Sequence, residues 1–163
     1  MPHEDAVQLD LSAALCEPIR TLSAEIHGLR AALPPATLRR VWPPIAAAID
    51  EMLYTRVVRK AAFSPRGVSQ LRRDVSALAA IFEPLVVSAG SGVVLRRLHD
   101  SCTLLTLNTE RRTRVLNLAL SDSPPLAQRA EHEGRLQALI EGAGVHFLRV
   151  GEATELLASV HAE

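Results

Sequence analysis

The sequence predicts an all-α fold, an antiparallel bundle of about six or seven helices, and three observations predict it. Hydrophobic residues make up 48% of the chain while aromatic residues make up 3%, so Leu, Val, Ile and Ala must build the core. Strands favour aromatic and β-branched residues, and no sustained period-two alternation is present. Apolar residues instead recur at steps of three and four, most regularly as Val68, Leu71, Val75, Leu78, Phe82 and Leu85. A seam of that spacing lies on one face of a helix and must be covered by another.

Taken in order, residues 1–10 are polar and read as a flexible segment ahead of a single helical domain over 11–163. The first helix carries Leu15, Ile19, Leu22, Ile26, Leu29 and Leu33, with a restart allowed at Pro18, and Pro34-Pro35 ends it. A second helix holds Val41, Trp42, Ile45, Ile49, Met52, Leu53 and Val57; Pro43-Pro44 is expected to kink or divide it. Ser64 can cap the third helix and Pro65 suits its first position. That helix extends to about Val87, bent by Pro84 in its last turn, before Gly90 and Gly92 let the chain reverse. The fourth runs from Val93 to about Leu107, and Asn108-Thr109-Glu110 restarts a fifth with Val115, Leu116 and Leu120 on its apolar side. Residues 121–125 (SDSPP) form a linker, and Pro124 opens a sixth helix, Leu126 to Glu141, closed by Gly142 and Gly144. VHFLRV, residues 145–150, is the one run with strand character, though it has no visible partner strand. A last helix over Glu152–Val160 completes the chain.

The 163 residues suffice for one domain with a real core, or for the last part of a larger protein. Formal net charge is zero, yet residues 39–114 hold 13 basic and 6 acidic side chains, leaving the flanks acidic. Either the acidic end helices pack across a basic middle, or that middle meets an acidic partner. Two cysteines, Cys16 and Cys102, are too few for a disulfide framework and fit reduced intracellular surroundings. No apolar run approaches the ~20 residues of a membrane span, so membrane contact is expected to be indirect, through partners.

The search for chemistry returns structural readings. His99 and Cys102 can share a helical face, but a thiol among leucines is badly placed for catalysis. Glu131-His132-Glu133 cannot place three ligands on one face, HExxH is absent, and Gly90-Ser91-Gly92 lacks the Lys of a phosphate loop. No catalytic residue, metal or cofactor is expected. Arginine pairs recur at 39–40, 72–73, 96–97 and 111–112, of which Arg72, Arg73, Arg96 and Arg97 are the candidate partner-binding residues. Without interleaved aromatics they read as solvated faces rather than a nucleic-acid surface, which remains the alternative together with a generic protein-interaction module. Gln70 and Asp74, one turn apart, can bond to each other or to an Arg nearby.

One further pattern is less generic. Trp42, Asp50, Tyr54, Phe63, Gly67, Gln70, Leu71 and Asp74 follow one another in a spacing that resembles the C-terminal part of the RINT/TIP family, large helical subunits of the Dsl-type vesicle-tethering complex. The segment CTLLTLN, ending at Asn108, and the Gly144-Val145 turn before Glu155-Leu156-Leu157 are similar to later parts of that family, so the resemblance covers residues 38–160. The chain departs from it at Pro65-Arg66 and at SAGSGV after the third helix. The resemblance implies a non-catalytic domain at the end of a helical rod, cytoplasmic and peripheral at the endoplasmic reticulum. Its implied work is Golgi-to-ER retrograde transport, through contacts with SNARE proteins and other tether subunits.

Overall fold

A computed structural model of the chain describes residues 11–89, 94–121 and 128–160. Seven α-helices occur among them: α1 (Ala13–Ala32), α2 (Pro35–Arg56), α3 (Pro65–Ala89), α4 (Arg96–Leu105), α5 (Thr109–Leu120), α6 (Arg129–Glu141) and α7 (Val150–Ala158). A 3-10 turn, Val58–Lys60, joins α2 to the approach of α3. The all-α bundle expected from the apolar periodicity is the fold observed. The expectations of a flexible segment over 1–10, a reversal at Gly90 and Gly92, and a linker over 121–125 with α6 starting at Leu126 fall wholly or mostly outside the described residues.

The apolar side chains gather in two groups. Ile26, Leu38, Trp42, Ala46, Phe82 and Leu85 form a small cluster between α1, α2 and the second half of α3. Here the Trp42 and Phe82 rings lie 6.3 Å apart, a tilted aromatic pair. The larger cluster runs from Tyr54 and Val58 through Leu98, Leu104 and Val115 to Ile140, Val145 and Leu157. Its axis is α4, only ten residues long, which packs against α2, α3 and α7. Leu98, Asp100, Ser101 and Leu104 are each at most 1% exposed, so this helix is covered nearly all round.

Two expected breaks do not occur. Pro18 leaves α1 continuous, and Pro43-Pro44 leaves α2 a single helix of 22 residues. Each proline removes one i→i−4 hydrogen bond, but both side chains of the pair are exposed, on the side where water can satisfy the freed carbonyls. Trp42 and Ala46 on the opposite face stay buried, and their packing keeps the helix from dividing there. Pro84 likewise lies inside α3. At the start of α4 the difference runs the other way. Val94 and Leu95 precede the helix rather than belonging to it, and Leu95 takes left-handed φ 55° and ψ 55° with its side chain 3% exposed. That conformation costs a leucine about 1–2 kcal/mol, which burial of its side chain offsets.

The run VHFLRV is not a strand. Gly144, at φ +87°, follows α6; its N–H reaches Glu141 O at 2.9 Å, and Val145 N–H reaches Ile140 O at 3.3 Å. This is a Schellman closure, with Ile140 and Val145, both fully buried, making its apolar contact. Residues 145–149 then cross to α7 through a bend at Phe147 and Leu148, the N–H groups of His146, Phe147 and Leu148 satisfied by a side chain instead of a neighbouring strand. One isolated parallel bridge, Phe63 with Val160, ties the approach of α3 to the end of α7.

Candidate functional site

Three buried aspartates organise the bundle, each accepting backbone N–H groups far away in the chain. Asp50, on α2, accepts Arg97 N–H and Leu98 N–H at 3.0 Å each, so it caps the first turn of α4 from outside that helix. Burial pushes its carboxyl above the usual 3.8, opposed by those two N–H groups and by the Arg97 charge. Asp74, on α3, accepts Ser12 N–H at the entrance to α1 and Gln70 Nε2–H, both at 2.9 Å. Asp100, on α4, takes His146 N–H at 2.9 Å, Leu148 N–H at 3.1 Å and Phe147 N–H on a single oxygen, Oδ2. Nothing in the periodicity singled out Asp100. It stands two residues from Leu98, on the side of α4 away from the Leu98–Cys102–Leu105 seam, where a carboxylate reads as solvated.

The remaining motif residues serve local structure. Ser64 Oγ accepts Gly67 N–H at 3.2 Å and Asn108 Oδ1 accepts Arg111 N–H at 2.9 Å, so both cap the helices that follow them. Phe63 and Tyr54 are buried in the large cluster, against which Leu71 packs, while Trp42 anchors the small one. At Gly67 an added Cβ would meet Ser64 Oγ at 3.5 Å and the Phe63 ring at 3.9 Å, ordinary contacts, so space does not require glycine there.

The four arginines singled out by sequence separate into two environments. Arg97 is three-quarters buried: it pairs with Glu51 at 2.8 Å and with Glu152, and its guanidinium lies 4.1 Å from the Tyr54 ring centroid. Burial also holds the Tyr54 phenol above its usual 10. Arg97 thus links α2, α4 and α7 and is committed within the bundle. Arg96 lies over the ring of Phe147 at 4.9 Å, and Phe147 is 42% exposed. Arg72 and Arg73 stand exposed on α3 and form no ion pair among the described residues.

A groove follows these two. Three adjoining cavities of about 330, 470 and 750 Å³ share Arg72, Ser76, Ser69 and Thr106 along their boundaries and run between α3, α4 and α5. Buried or half-buried Val68, Val75, Cys102, Leu105 and Leu116 form the floor. Arg72, Arg73 and His99 stand along the edge, and no lining residue is acidic or aromatic other than the imidazole. The hydroxyls of Ser69, Ser76, Thr103 and Thr106 donate to carbonyls within their own helices at 2.9–3.0 Å. Cys102, at the floor, has its thiol pushed up to about 11 by burial, against a smaller downward pull from Arg72. A second, apolar cavity of about 240 Å³ lies beside Ser12, between α1, α2, α3 and α4.

Among the described residues no three His, Cys, Asp or Glu side chains gather to hold a metal, and no helix is long and apolar enough to cross a membrane. Comparison with known proteins matches residues 1–159 to the model of the RINT-1/TIP-1 family, which extends the resemblance to α1. No curated protein and no solved structure matches significantly.

Proposed function

The chain belongs to the RINT-1/TIP-1 family, whose members act in vesicle-tethering complexes of the endoplasmic reticulum, and we propose that it is the C-terminal helical domain of a longer tether. In this reading it catalyses no reaction. It contributes to capture of Golgi-derived retrograde vesicles by protein-protein contacts with SNARE proteins and other tether subunits, and it sits in the cytoplasm, peripheral to the endoplasmic reticulum membrane.

The observation that carries the reading is the family match over nearly the whole length of an all-helical bundle. The described polar clusters support it, because their distinctive members are used inward. Asp50, Asp74 and Asp100 bind backbone, and Arg97 binds Glu51 and Glu152. A bundle held by such clamps presents helix faces and grooves, which suits recognition of another helix.

The test is reciprocal co-purification of the tagged protein at endogenous level, followed by microscopy. Recovery of tether subunits and SNAREs at the endoplasmic reticulum, with slowed return of a retrograde cargo on depletion, is the expected result. Normal cargo return together with no tether subunit in the purified material rejects the reading.

A further inference from the structure

We propose that the α3–α4–α5 groove is a docking site for an acidic amphipathic helix of a partner protein, with Arg72 and Arg73 as its charge-recognising residues. This rests on the tethering reading and assigns it a surface.

The occupant follows from what the groove offers. Its floor is aliphatic, so one face of the guest must be apolar. Its edge carries two exposed guanidinium groups and the exposed His99, and no carboxylate lines it, so the opposite contacts favour acids. Lining residues on α3 extend from Pro65 to Ser76, which at about 1.5 Å per residue gives a trough of about 16 Å, three turns of a helix. Arg112 fixes the far end, where its guanidinium donates to Val160 O at 2.5 Å.

Two details separate this guest from a nucleic acid or a lone phosphate. The four hydroxyls that share the cavities of Arg72, those of Ser69, Ser76, Thr103 and Thr106, have their hydrogens committed to helix carbonyls and turn acceptor lone pairs to the groove, while the other two, Thr109 and Thr113, lie toward the Arg112 end. No phenyl, phenol or indole ring lines the groove, which leaves bases without a stacking surface. Binding energy must therefore come from burying an apolar stripe, with the arginines setting charge preference and orientation.

The probe is a fluorescein-labelled peptide of about 14 residues, with Leu at helical spacing on one face and Glu on the other, titrated with the full chain. Anisotropy at 50 mM salt is expected to report micromolar binding that weakens about tenfold at 300 mM salt. The double variant R72E/R73E should weaken it by about tenfold or more and Leu116→Asp by a similar factor, while R39E/R40E on exposed α2 should not. All four arginines are exposed, and unchanged circular dichroism checks the fold. Absence of wild-type binding, equal loss in R39E/R40E, or equal binding of a Lys-for-Glu peptide overturns the proposal; tighter binding of a single-stranded oligonucleotide overturns it in favour of nucleic acid. Co-purification separates the two readings. R72E/R73E that still recovers every tether subunit and SNARE rejects the groove as a partner site and leaves the tethering role standing, whereas a wild-type chain that recovers none rejects that role itself.

Discussion

Replacing Asp100 by alanine should cost the domain more than any other single polar change considered for it. The carboxylate is 1% exposed and its Oδ2 collects three N–H groups from residues 146–148, which have no strand partner. Removing one member of such a buried charged arrangement costs about 3–5 kcal/mol, because the groups left behind lose their only acceptor. Against a typical total stability of about 5–15 kcal/mol this is a large fraction. For a chain of this size each kcal/mol moves the melting midpoint by about 2–4 °C, so D100A should fall by roughly 6–20 °C. Asp100→Asn is the informative companion. All three donors converge on one oxygen, which an amide carbonyl can replace, so only the charge assistance is lost, about 1–2 kcal/mol. Urea unfolding followed by Trp42 fluorescence and by circular dichroism measures both, and coincident transitions establish that one free energy describes them. A D100A loss below about 1 kcal/mol, or a D100N loss equal to that of D100A, would refute the assignment of Asp100 as the clamp of this segment.

Asp50 provides a pH-dependent counterpart. Its carboxyl titrates above 3.8 in the folded state, so the contribution from its proton is fully present below that pH and is lost as pH rises through the folded value. The stability of wild type relative to Asp50→Asn should therefore be higher at pH 4 than at pH 7; a relative stability that falls on acidification would contradict the direction. The two cysteines should label in separate phases, exposed Cys16 within minutes and Cys102 only after unfolding, because a thiol near 11 is about a thousandth ionised at pH 8. Fast double labelling in the folded state would place Cys102 differently. Glycine substitutions should diverge: Gly144→Ala at φ +87° should cost about 1–2 kcal/mol, whereas Gly67→Ala in the first turn of α3 should be neutral or stabilising by up to about 1 kcal/mol. Thermal melts of the two variants that shift alike would remove the distinction.

Periodicity made the helices legible because burial on one face imposes it. The seam Val68 to Leu85 and the caps at Ser64 and Asn108 are local rules read directly from local residues. What stayed hidden was long-range. Pro43-Pro44 signals a break in any isolated helix, and only the burial of Trp42 and Ala46 against α3 explains why α2 continues. VHFLRV has the composition of a strand because Val145 and Leu148 are buried, but three of its N–H groups, those of His146 to Leu148, go to a carboxylate 46 to 48 residues earlier, a pairing no spacing encodes. The arginines were equal as sequence. Tertiary neighbours alone turn Arg97 inward to Glu51, Glu152 and Tyr54 and leave Arg72 and Arg73 at a groove.

The aspartate clamps also impose an order on synthesis. Asp50 leaves the ribosome 47 residues before the Arg97 N–H it binds, and Asp100 leaves 46 residues before that of His146. At about 5–20 residues per second, each carboxylate waits roughly 2–10 s for its acceptor role to be filled. During that interval it keeps water about it and resists being drawn into a premature apolar collapse. The Asp74 clamp differs, because Ser12 precedes its carboxylate in the chain, so of the three only Asp50 and Asp100 must wait for a segment still to be synthesised.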